Sequence, residues 1–364
     1  MTETATLSPE LAEGARNLLI NCAGLKSGET VVILHEDPAL GWYDLDAPMA
    51  VAEEARNLGM HPTCVQVGAP ENDRDPGVNE AIAAHDGSVF FSRIGDQDRF
   101  GAPMPGKRSV MCYARDAKTL ASSYGRAEHQ AFLELKAAVN DILLGADRIE
   151  ITCPLGTSIS GAASEDDREP DGDVTIRRFP MGVPQPVSAS GFSGQVAIAR
   201  FLTPTGSKVY EPASQVIDSP VMAEVSSGRL VGLKGEASAV EQVRSHTKTV
   251  ADLFGIDGDN VHSWHAGIHP GCVYPLDAAD NPDRWSNSVF TNPRFLHFHT
   301  CGDYPPGEVC WMVLDPTVTV DGVKLWDAGR LCPEAFDRTQ ACLEKWSELR
   351  PLFDAPVQWV GVQA

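Results

Sequence analysis

Five of the ten histidines lie between residues 262 and 299: His262, His265, His269, His297 and His299. Neutral imidazole is the commonest side-chain ligand for zinc, iron, nickel and copper, so this density points to a metal or acid–base site. His297-Phe298-His299 has i, i+2 spacing, which on a strand turns both rings to one face. His262-Ser263-Trp264-His265 is an H-x-x-H pair, with His269 and Cys272 close behind, and Asp303 and Glu308 supply carboxylates just after the second pair. Two histidines and a carboxylate with open positions suit non-haem Fe(II); three histidines and a water suit zinc hydrolysis. The residue pattern leaves both open. The plainer alternative is a set of loop histidines bonded to backbone carbonyls. Cys272, Cys301 and Cys310 are near enough in sequence to serve as further ligands.

These residues need a scaffold. The first 150 residues alternate helical and strand patterns. Ser8-Pro9 starts a helix with an apolar face from Leu11 to Cys22, Thr30–Leu34 reads as a buried strand, and Asp46 to Asn57 reads as a helix ended at Gly59. Pro62–Val67, Ser88–Ser92, Ser109–Tyr113 and Asp147–Cys153 are further strands, with helices at Asn79–His85 and Ala127–Leu144. Such alternation favours a parallel sheet covered by helices. No G-x-G-x-x-G follows the first strand and no G-x-x-x-x-G-K-[ST] occurs, so the half lacks a nucleotide fingerprint. His35-Glu36-Asp37 stands at a strand's carboxyl end, where ligands often bind, although a polar loop explains it equally well.

From residue 154 glycine, proline and serine become frequent. Strands are predicted at Val174–Phe179, Val196–Phe201, Val221–Val225, Arg229–Lys234, Phe295–His299, Val309–Leu314 and Val318–Val320. Turns at Ser226-Ser227-Gly228 and Asp321-Gly322 mark hairpins, and helices are predicted at Ala237–Leu253 and Glu334–Leu349. The expected fold class is α/β: an N-terminal parallel α/β sheet domain over 1–150, followed by a β-rich α+β domain over 151–364 that carries the metal site on strand ends and loops. Trp264, Trp285 and Trp311 are candidates to wall an aromatic pocket, or plain core.

Composition bounds the partners. A net charge of −21 over 364 residues disfavours nucleic acid and anionic lipid, both of which need a basic face. No apolar run reaches the length of a membrane helix, and the N-terminal residues lack the basic and apolar regions of a signal peptide. Nine cysteines without a C-x-x-C pair fit a reducing compartment, so a cytoplasmic protein with a small-molecule substrate is expected.

Several patches carry a resemblance. Gly191–Ala199, Asp218–Gly235, Gly267-Ile-His-Pro-Gly271, His297 with Tyr304 seven residues on, Val318–Gly322 and Lys26–Ile33 are together similar to the aminopeptidase T-like metallopeptidases and their 2,5-dihydroxypyridine 5,6-dioxygenase branch. The departures from the peptidase pattern favour the dioxygenase branch. Gln195 stands where the peptidases have a glutamate, and a neutral amide cannot neutralise one of two cations. Counting back from Pro270 places the second glutamate at Ser263, beside His262 and His265, and the dioxygenase branch has a histidine ligand there. The family's last His-x-Asp falls near Glu308-Val309-Cys310.

The reconstructed ligand set is His297 and His299 with His262 or His265, strand parity favouring His265. Glu308 is the first choice for the carboxylate and Asp303 the second. Tyr304 is a candidate acid or hydrogen-bond donor to a substrate oxygen, or a hinge tyrosine before Pro305-Pro306. The resemblance implies one Fe(II) and the opening of a hydroxylated aromatic or N-heterocyclic ring by both atoms of O2. Zn or Co in a metal-dependent aminopeptidase or amidohydrolase is the alternative, and a metal-free binding protein the third. By analogy a homo-oligomer is expected.

Overall fold

The computed structural model describes residues 7–70, 75–97, 104–164, 176–205, 210–301 and 308–363. The chain is α/β, with one parallel sheet and one large antiparallel sheet. It divides into two compact units: Met1–Leu133 with Val174–Met181, and Glu134–Asp173 with Gly182–Ala364.

The first unit holds β1 (Thr30–Glu36), β2 (His61–Val67), β3 (Gly87–Phe91), β4 (Arg108–Cys112) and, from the later segment, Arg177–Phe179. They form a wholly parallel sheet in the order β2-β1-β3-β4, with Arg177–Phe179 beyond β4. β1 and β3 are buried almost throughout, as expected for strands covered on both faces. Ser8 caps the first helix, its Oγ accepting from Leu11 N at 3.2 Å. The polar group at the end of β1 is internal: the buried Glu36 carboxylate accepts from Arg93 Nε at 3.1 Å on both oxygens, and the Arg93 guanidinium lies 4.4 Å from the Trp42 ring centroid.

The second unit is built on β5 (Ile149–Thr152), β6 (Ser158–Gly161), and, after β7 (the Arg177–Phe179 strand just placed), β8 (Val187–Ser188), β9 (Ser193–Pro204), β10 (Gln215–Ser226), β11 (Arg229–Lys234), β12 (Val261–Ala266), β13 (Phe295–Thr300), β14 (Val309–Leu314), β15 (Thr317–Val320), β16 (Val323–Asp327) and β17 (Arg330–Leu331). Twelve of these strands make one antiparallel sheet in the order β17-β16-β15-β5-β6-β9-β14-β13-β12-β8, with β10 on β9 and β11 on β10. The hairpin β10–β11 turns at Ser227 and Gly228, both at positive φ. The helix Ala237–Phe254 ends at Gly255 in the left-handed region.

Two sequence expectations change here. The strand 147–153 was expected to close the parallel series, but β5 pairs antiparallel with β6 and β15 in the second unit. Its place is taken by β7, which returns to the parallel sheet from the 174–181 segment. Alternation along Ile-Glu-Ile-Thr says that one face is buried and not which sheet buries it. The predicted helix 334–349 is broken into a 3-10 turn at Pro333–Ala335, a helix at Asp337–Lys345 and a second 3-10 turn at Ser347–Leu349, separated by Phe336 and Trp346 outside the helical region.

Candidate metal centre

β12 and β13 lie side by side inside the antiparallel sheet, so His262, His265, His297 and His299 stand on strands rather than on the expected strand ends and loops. In the register, His265 is opposite His297 and Ser263 opposite His299. Residues paired this way point to the same face. On β14, Cys310 faces His299 and Met312 faces His297, and Thr203 on β9 faces Cys310. One face of three neighbouring strands thus presents Ser263, His265, Phe295, His297, His299, Cys310 and Met312. The opposite face carries Trp264, Phe298 and Trp311 in one cross-strand row, so Trp264 and Trp311 do not wall the histidine side. Trp264 packs edge-on against Phe192 with ring centroids 5.8 Å apart. Trp285 is on the histidine side, buried with Phe295, Phe201 and Met312, and its Nε1 donates to Val360 O at 2.6 Å.

The three rings meet at their Nε2 atoms. His265 Nε2 is 3.1 Å from His297 Nε2, and His299 Nε2 is 3.0 Å from the same atom. His265 and His297 are buried and His299 is half-buried. Nδ1 of His265 lies 3.1 Å from the carbonyl oxygen of Pro184. A carbonyl only accepts, so Nδ1 carries the hydrogen and Nε2 of the neutral ring is a lone pair aimed at the cluster. This is how a ligating imidazole is usually held.

A second group lies on the other edge of His299. It contains His262, His299 and Glu308. His262 is the extra residue of a β-bulge, because the register jumps between Val261 and Ser263. A bulge re-aims a side chain against strand parity, which brings His262 to the edge of the histidine face. Ser263 Oγ is 3.0 Å from His262 Nδ1 and 3.1 Å from His299 Nδ1. Glu308 Oε1 is 4.0 Å from His299 Nδ1, so its carboxylate belongs to this edge and not with the three Nε2 atoms. Glu308 is itself held by the Thr205 hydroxyl, and Tyr210 Oη donates to its carbonyl at 3.1 Å.

The remaining candidates fall elsewhere. Asp303 and Tyr304 lie outside the described residues. His269 is fully buried in the turn after β12, with Gly271 N donating to its Nδ1 at 3.2 Å, and it joins neither group. No cysteine joins either group among the described residues. Cys310 shares the face, yet burial pushes its thiol up to about 12, so it stays protonated and is a poor ligand without a cation to displace the proton. Cys272 and Cys301 give their thiols to the carbonyls of Ser288 and Thr247. Gln195 is exposed on β9, its Nε2 donating to Gly156 O at 3.0 Å. Sequence reasoning did not find the Pro184 carbonyl, which comes from a distant loop and leaves no local signal. It used Ser263 only as the aligned position whose strand parity favours His265, and gave it no role of its own.

The fold is similar to that of 2,5-dihydroxypyridine dioxygenase from Pseudomonas putida. The two chains share 13% identity at a TM-score of 0.59, over 92% of this chain and 100% of that one. Wild-type AmpT from Thermus thermophilus matches at 13% identity and a TM-score of 0.48, over 88% of this chain and 98% of its own. The sequence matches no protein-family profile and no curated protein. No helix among the described residues is long and apolar enough to cross a membrane.

Proposed function

We propose that this chain is a mononuclear metal enzyme, a non-haem Fe(II) ring-cleaving dioxygenase acting on a hydroxylated aromatic or N-heterocycle, with the metal held by His265, His297 and His299. One observation carries the reading: three imidazole Nε2 atoms converge with separations of 3.0 and 3.1 Å. Two nitrogens that bind one cation at about 2.1 Å, and are about 3.0 Å apart, subtend close to a right angle. Tetrahedral zinc would spread them to about 3.4 Å. Right angles at both pairs fit octahedral positions, and an octahedral ion held by three nitrogens keeps positions open for substrate and a small molecule. The likeness in fold to 2,5-dihydroxypyridine dioxygenase supports the same reading.

The residues have separate tasks. His265 is locked by Pro184, so its lone pair is set before any metal arrives. Three neutral rings leave the charge of a dication unbalanced, which favours a substrate bearing an acidic ring hydroxyl. Phe295, whose ring centroid is 5.5 Å from that of His297, and the buried Trp285 beside it keep water from the inner side of the cluster. Bound iron would supply the one-electron chemistry that lets O2 react with a closed-shell ring, which no side chain provides. Among the described residues, Glu308, on the outer edge of His299, is a group available to accept the substrate's proton.

The test is anaerobic reconstitution with Fe(II), followed by oxygen-consumption assays over hydroxypyridines and catechols. One iron per chain and oxygen uptake with at least one substrate are expected. Two zinc or cobalt ions per chain with peptidase or amidase activity would replace this reading with a hydrolase, and no bound metal would leave a binding protein.

A further inference from the structure

Ser263 is buried on the histidine face, with its hydroxyl between two ring nitrogens, His299 Nδ1 at 3.1 Å and His262 Nδ1 at 3.0 Å. A serine hydroxyl has one hydrogen to give. With both rings neutral it donates to one nitrogen, and the other nitrogen must donate to it. The chain of bonds therefore runs in one of two directions. In the first, His299 Nδ1–H donates to Ser263 and Ser263 donates to His262 Nδ1, which leaves His299 Nε2 as a bare lone pair aimed at His297. In the second, His262 Nδ1–H starts the chain and His299 carries its hydrogen on Nε2, where it blocks a cation.

We propose that Ser263 is a positioning residue which, with His262 as its acceptor, fixes the first direction and so keeps Nε2 of His299 available to the metal. This rests on the three-histidine site proposed above. The sequence builds the device from two neighbours. Ser263 has the parity of His265, and the bulge carries His262, half-exposed, round to the same hydroxyl. The Glu308 carboxylate is farther from His299 Nδ1, at 4.0 Å, than the hydroxyl is. Ser263 therefore stands where a carboxylate or carbonyl usually orients a ligating histidine.

The experiment uses zinc, which is diamagnetic, as the probe. Its affinity is measured by competition with a chelating dye, and the histidine ring nitrogens are followed by 15N NMR. In the zinc-loaded protein, His299 should carry hydrogen on Nδ1, and His262 Nδ1 should be unprotonated. Ser263→Ala should weaken zinc binding about 10–100-fold, the usual effect of removing an orienting partner. Ser263→Thr keeps the hydroxyl on a side chain suited to a strand and should stay within about threefold of the parent. His262→Phe, which removes the acceptor but not the hydroxyl, should weaken binding less than Ser263→Ala. Zinc binding by Ser263→Ala as tight as the parent's, or a hydrogen on His299 Nε2 with Nδ1 bare in the loaded protein, overturns the inference. If His297→Ala also leaves zinc affinity unchanged, the three-histidine reading falls with it. If His297→Ala abolishes binding while Ser263→Ala does not, only the role of Ser263 falls.

Discussion

At the scale of single residues, the cluster is a problem of lone pairs. Nε2 of His265 is a bare acceptor by virtue of Pro184, and it faces another ring nitrogen 3.1 Å away. Either a shared proton or a cation must sit among such nitrogens. His297→Ala and His299→Ala should therefore each abolish metal retention, measured as metal per chain after gel filtration. His269→Ala should retain metal near the parent level, because that ring belongs to a turn. Equal loss in all three would place the site elsewhere. A separate residue-scale prediction concerns acid. Burial holds His246 down to about 4 from its ordinary 6.5. The unfolded chain then binds a proton that the folded protein refuses, so stability falls as pH drops from 6.5 toward 4, by up to about 3 kcal/mol. His246→Phe should remove that part of the slope in urea melts taken between pH 7 and pH 4. An unchanged slope would assign the acid sensitivity to other groups, such as His129, which burial and Arg177 also hold down to about 4.

At the scale of elements, the histidine strand is clamped at its start. Arg294 precedes β13 and grips Asp315 just past the end of β14, with Nε to Oδ1 at 2.6 Å and Nη2 to Oδ2 at 2.9 Å. Both side chains are largely buried. Arg294→Ala leaves the Asp315 charge buried and unpaired and should cost about 3–5 kcal/mol in denaturant unfolding. A cost under about 1 kcal/mol would show that the pair does not hold the β13–β14 register. The exit of β12 is equally tight. A Cβ on Gly267 would lie 2.2 Å from Asn292 O, a backbone atom, so Gly267→Ala must displace the strand end next to His265. It should weaken metal retention without touching a ligand. Strand periodicity made β13 and β14 legible, and the helix stop at Gly59 was equally plain. β5 was not placed, because a strand of four residues names its buried face and not its partner. The His262 bulge was not legible either, since nothing local distinguishes an inserted residue from a paired one.

At the scale of the whole molecule, both groups of clustered ligands belong to the second unit, and the parallel sheet contributes none among the described residues. Metal binding should then slow amide exchange in β12, β13 and the loop around Pro184, while leaving β1 to β4 unchanged. At about one hundred times the dissociation constant, the metal should stabilise the unit that holds it by about 2.7 kcal/mol. Hydrogen exchange with and without zinc checks this. Protection spread evenly over both units would mean that the metal acts through global stability or at another site. The net charge of −21 also predicts weak binding to nucleic acid, since that binding is driven by counterion release onto basic side chains.

The sequence alone determined the alternation of elements, the change of texture near residue 150 and the facing of His297 and His299, because these are local consequences of backbone geometry and side-chain polarity. It did not determine which rings meet. That depends on the register of β12 against β13, on one inserted residue, and on a carbonyl from residue 184. Each is a contact between segments far apart along the chain, where hydrogen-bond pairing and packing, rather than local periodicity, select among alternatives of similar local energy.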